Sequence, residues 1–107
     1  MPHGFVQIQT TVDDRNVAEK LIHDAVECRL AACGQLLGPI ESTYWWNGSI
    51  EEASEWQCVF KTRASLAASL VAWVEEHHPY EVPEVVTVAL SGVSDDYGEW
   101  IENETER

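Results

Sequence analysis

Basic residues are scarce in this chain. Six lysines and arginines stand against nineteen aspartates and glutamates over 107 residues, a formal charge of −13. The only lysines are Lys20 and Lys61. Nucleic acid and anionic lipid both need basic patches, so neither is an expected partner. Long apolar runs are also missing. No stretch of about 18 apolar residues occurs, which argues against a membrane span. Met1 to Val6 shows no basic segment leading into an apolar one, so no secretory signal is expected. Cysteine is limited to Cys28, Cys33 and Cys58, an odd number without zinc-type spacing. Reduced thiols in a cytoplasmic protein are the expectation. No Gly-rich phosphate loop, zinc motif or nucleophile–base pairing is present, which argues against an enzyme.

Aromatic mass, by contrast, is plentiful and concentrated. Tyr44, Trp45 and Trp46 directly precede Asn47-Gly48. Asn-Gly supplies the two positions tolerant of positive φ that a tight type I′ hairpin turn requires. Large β-favouring side chains on one side of it predict a long ribbon with an aromatic tip. Five tryptophans are many for one small core, so part of that surface is expected to meet another chain.

Around this hairpin the pattern is regular. Val6, Ile8 and Thr10 alternate with Gln7 and Gln9, predicting a strand from Phe5 to Val12. Asp13 or Asp14 caps a helix running to about Arg29, with Ala18, Leu21, Ile22 and Ala25 at helical spacing. Ala32 to Trp46 reads as a strand interrupted at Gly34, Gly38 and Pro39, where a bulge or kink is expected. Ile50 to Thr62 returns as a strand. Ala64 to His77 reads as a helix with Leu66, Leu70, Trp73 or Val74, and His77 along its packed stripe. Val85 to Leu90 is a near-continuous apolar run of the buried kind. Ser94 or Asp95 starts a final helix, where Tyr97, Trp100 and Ile101 share a face. The order β-α-β-β-α-β plus a terminal helix predicts an α+β, ferredoxin-like split βαβ domain over residues 1–107. Its sheet would leave one face open, and its edges and aromatic tip predict a homotrimer.

The motifs Leu30–Cys33, Ile40–Gly48, Phe60–Arg63, His77–Glu84 and Asp96–Trp100 occur together and in order. With them the chain resembles the CutA proteins, named for divalent-cation tolerance. The resemblance implies a ferredoxin-like fold, a tight homotrimer whose hairpins continue into neighbouring sheets, copper binding, and no catalytic activity. Some family members carry a cysteine where this chain has Gln9, paired functionally with the histidines. That thiolate is missing here.

His77 and His78 are the metal candidates, since imidazole is a common ligand for copper and zinc. Glu75, Glu76, Glu81 and Glu84 surround them with negative charge. Weak binding of copper or another divalent cation is the expectation. The Met1-Pro2-His3 start is a poor copper site, because Pro2 has no N–H to give up. His23, beside Asp24 in mid-helix, reads as solvated. The cysteines read as buried filler. Lys61, Tyr80, Glu81 and Tyr97 form a candidate polar pocket at a subunit junction, with Lys61 expected to pair with Glu81. A signalling trimer similar to the nitrogen-regulatory PII proteins is the alternative function. Those proteins carry a long loop where this chain has Asn47-Gly48. An acylphosphatase-like hydrolase is disfavoured, because Asp13 and Asp14 would repel phosphate.

Overall fold

The computed structural model describes residues 4–106. The Met1-Pro2-His3 segment lies outside them. Strand β1 (Phe5–Val12) buries Val6, Ile8 and Thr10 and leaves Gln7 and Gln9 half-buried, as alternation requires. Helix α1 (Arg15–Glu27) starts on Asp14, whose carboxylate accepts from the amides of Asn16 at 2.8 Å and Val17 at 3.3 Å. It stops short of Arg29, which turns left-handed at φ 66°. Ala18, Leu21 and Ala25 form its buried stripe.

Strands β2 (Cys33–Trp46) and β3 (Ser49–Arg63) make the long ribbon. Asn47 and Gly48 both have positive φ, 50° and 80°, as the tight turn demands. The register slips between Leu37 and Ile40, at Gly38 and Pro39, so the expected bulge is present. A short 3-10 turn (Ala64–Leu66) leads into helix α2 (Ala67–His77), followed by β4 (Val86–Leu90) and α3 (Asp95–Glu104).

The sheet order is β2-β3-β1-β4, and every pairing is antiparallel. This is the predicted ferredoxin-like arrangement. One face carries Val6, Ile8, Val12, Cys58 and Phe60 against Ala18, Leu21 and Ala25 of α1 and Leu70 and Val74 of α2. Helix α3 lies across one end of the other face. Gly98 is set so close to Phe5 that a Cβ there would stand 3.0 Å from the ring. Arg63 donates to the Thr105 carbonyl, and Arg29 to the carbonyl and carboxylate of Glu104. Cations thus sit where the helix dipole is negative. Among the described residues no helix is long and apolar enough to cross a membrane.

The expectation that the last strand is buried fails. Val86 and Val88 are 40% and 39% exposed. The strand is apolar as expected, but it lies at the sheet edge with its faces only partly covered. Leu37, Trp45 and Ile50 are exposed as well.

Candidate functional site

Helix α2 ends at His77, and His78 is extended at ψ 138°. This break places the two imidazoles in different surroundings. His77 was expected on the packed stripe, but it is exposed and stacks on Trp73 with ring centres 4.3 Å apart. Its Nδ1–H donates to the Trp73 carbonyl at 2.8 Å, leaving Nε2 unengaged. His78 is buried instead. Its Nδ1 accepts from the Tyr80 amide at 3.1 Å, and its Nε2–H donates to the Thr11 carbonyl at 2.9 Å. Both partners allow only one direction of donation, so the neutral Nε2–H tautomer is fixed. Burial holds the His78 pKa below its ordinary 6.5, opposed by the Thr11 carbonyl and the charges of Glu55 and Asp13. Of these two imidazoles only His77 therefore presents a free nitrogen for metal ligation.

The loop after α2 closes one side of a cleft of about 730 Å³. Its other wall is the ribbon. Ser42, Tyr44 and Trp46 of β2 line up there with Ala53 and Glu55 of β3, as their register requires, and Thr43 and Trp45 border it too. Tyr80, Glu81, Val82 and Glu84 come from the loop, and Thr11 and Asp13 from the end of β1. Glu55 is only 5% exposed. The Tyr80 hydroxyl donates to its Oε2 at 2.7 Å. Burial raises the Tyr80 phenol pKa, and the bond and charge of Glu55 add to the effect.

The expected constellation of Lys61, Tyr80, Glu81 and Tyr97 is split. Tyr80 and Glu81 line the cleft, whereas Lys61 and Tyr97 do not. Lys61 does not pair with Glu81; its ammonium donates to Gln35 Oε1 at 2.9 Å. It is the register partner of Cys33, whose sulfur lies 3.5 Å from the Tyr97 hydroxyl. That contact, with burial, raises the Tyr97 phenol to about 12. Of the cysteines, Cys58 is fully buried and its thiol is pushed up to about 11 by desolvation, while Cys28 and Cys33 are half-buried.

Two features escaped the sequence reading. Glu55 looks like one more acid in a run with Glu51 and Glu52. The second is a ligand set on α1. His23, Asp24 and Glu27 hold ligand atoms within 4.8 Å of one another, the one such group of three among the described residues. The signal was the i, i+4 spacing of His23 and Glu27 on one helix face. These donors are exposed, and Lys20 already holds Asp24 at 2.9 Å. As a donor set they fit a weakly held divalent ion.

The comparisons with known proteins agree with this fold. A family model described as CutA1 divalent ion tolerance protein matches residues 6–104. Protein CutA, chloroplastic, of Arabidopsis thaliana is 39% identical over 100 residues, covering 94% of this chain and 55% of that protein. The divalent-cation tolerance protein CutA of Pyrococcus horikoshii is 36% identical over 103 residues, covering 96% of this chain and 100% of the relative. The chain thus spans about half the length of the plant relative and all of the Pyrococcus one. The crystal structure of CutA from Xylella fastidiosa superposes with a TM-score of 0.92 at 34% identity, covering 95% of this chain and 98% of that one. The chain belongs to the CutA1 divalent ion tolerance protein family.

Proposed function

We propose that this chain is a non-enzymatic homotrimer that serves divalent-cation tolerance and binds copper or a similar ion weakly. The observation that carries the metal part is the outward Nε2 of His77. The Trp73 carbonyl fixes the ring through Nδ1, so a metal meets a preset nitrogen at an exposed helix end. His78 joins only by giving up its bonds to Thr11 and Tyr80. The exposed His23, Asp24 and Glu27 set offers a second contact. Binding is weak because neither place gathers a full set of strong ligands, and Gln9 supplies no thiolate.

The trimer reading rests on two open sheet edges, β2 and β4, and on exposed Leu37, Trp45, Ile50, Val86 and Val88. Three unpaired cysteines fit a reducing, cytoplasmic compartment. The two-residue turn at Asn47-Gly48 favours the metal reading over PII-like signalling, which employs a long loop there. Copper calorimetry on tag-free protein tests the site. His77→Ala should remove most of the specific heat, and His78→Ala should remove less. Equal affinity in wild type, His77→Ala and His23→Ala would assign the binding to the diffuse acidic surface and end this reading.

A further inference from the structure

Helix α2 ends in an imidazole backed by an indole. His77 follows Trp73 by one helical turn, and the two rings are nearly parallel, tilted by 21° with centres 4.3 Å apart. Trp73 is half-buried and packs against the core, so its indole is a fixed surface and not a second mobile side chain. Its carbonyl also holds Nδ1 of His77 at 2.8 Å. One residue thus sets both the position of the imidazole and the nitrogen left free. A nitrogen lone pair lies in the plane of its ring. An ion on Nε2 therefore stays in a plane nearly parallel to the indole.

We propose that Trp73 sets the metal preference of His77, giving a site of one nitrogen and one ring that selects a soft monovalent ion, copper(I) or silver(I), over a divalent one. The inference rests on the metal reading of His77 and names the class of ion which that residue takes. Ligand supply is the first argument. Among the described residues the one group of three converging His, Cys, Asp or Glu ligand atoms lies on α1, and His77 is not in it. Zinc and the harder divalent ions call for four or more ligands. Copper(I) and silver(I) are stable with two. Softness is the second argument. Soft ions take polarisable donors, and indole offers a cation the most attractive ring face among the side chains. His23 supplies the contrast. It is exposed like His77 and has the carboxylates of Asp24 and Glu27 beside it. Among the described residues no aromatic ring stacks on it.

Proton–nitrogen NMR of the histidine rings, on the full chain, reads each imidazole separately. The probes are silver nitrate, which stands in for copper(I) without redox chemistry, and a zinc salt. Cys28→Ser/Cys33→Ser, used as the background, removes the two half-buried thiols that would compete for silver. Silver should occupy His77 at a concentration at least about tenfold lower than it needs for His23. Zinc should show no preference for His77. Trp73→Leu should erase the silver preference, and Trp73→Phe should restore part of it. Neither variant should move the zinc titration of His77. Circular dichroism confirms that each is folded. Equal silver affinity at His77 and His23, or no change in Trp73→Leu, would overturn the proposal and leave the metal reading standing. A parallel loss of silver and zinc in Trp73→Leu would give Trp73 a structural role alone and overturn it as well. A His77 ring that neither ion shifts at millimolar concentration would overturn both readings.

Discussion

His78 donates its Nε2–H to the main-chain carbonyl of Thr11 at 2.9 Å, pinning the loop after α2 to the end of β1. The second nitrogen accepts the Tyr80 amide, and this bond, unlike the one to Thr11, holds only while the ring is neutral. Protonation would place a hydrogen on Nδ1, directly opposing the Tyr80 N–H.

A pH dependence follows from this. Burial lowers the folded pKa of His78 below 6.5, so below that value the unfolded chain takes up the proton more readily. The stabilising contribution is complete above the unfolded value and is lost as pH falls through 6.5 toward the folded one. Urea midpoints compared at about pH 7.5 and about pH 5 should drop in wild type. In His78→Gln, which has no titrating ring, the drop should be smaller by the histidine's share.

Tyr80→Phe removes the donor to Glu55 and leaves a buried carboxyl without its partner. The cost should be about 1–3 kcal/mol, read from urea unfolding at neutral pH. An unchanged midpoint would show that water replaces the phenol freely.

Trp45 and Trp46 are adjacent in sequence but lie on opposite faces of the ribbon. Trp45 is 71% exposed and pairs across the ribbon with exposed Ile50, whereas Trp46 is 41% exposed; both border the cleft. If the outer face is the contact between copies, Trp45→Ala should weaken assembly by about 2 kcal/mol or more. Trp46→Ala should weaken it less. Light scattering across a dilution series separates the two.

Gly34 lies where β2 passes under α1, and a Cβ there would stand 2.6 Å from Ile22 Cγ2. Gly34→Ala should destabilise by about 1–3 kcal/mol, because helix and strand must part to admit it. Thermal unfolding gives the comparison.

Much of this architecture was legible from local chemistry. The alternation of Val6, Ile8 and Thr10, the cap at Asp14, and the Asn47-Gly48 turn each act within a few residues. Their readings correspond to the observed elements. The slip at Gly38 and Pro39 was legible for the same reason. Three other features depend on distant neighbours. An apolar run such as Val86–Leu90 does not say whether anything covers it. The opposite fates of His77 and His78 turn on one extended residue at the helix end. Glu55 is set apart from Glu51 and Glu52 by a tyrosine 25 residues later in the chain.

The sheet order has a consequence for how the protein is made. Strand β1 precedes every other described strand in the chain, yet it sits inside the sheet between β3 and β4. During synthesis the β2–β3 ribbon can zip up around its tight turn once Arg63 has emerged, because its contacts are local. The edge of β1 that receives β4 stays bare until Leu90 has left the ribosome. An apolar strand waiting with one open edge is an invitation to mispairing between nascent chains. Slowing translation between Arg63 and Val86 should therefore prolong that exposure and lower the soluble yield, without altering a single contact of the finished fold.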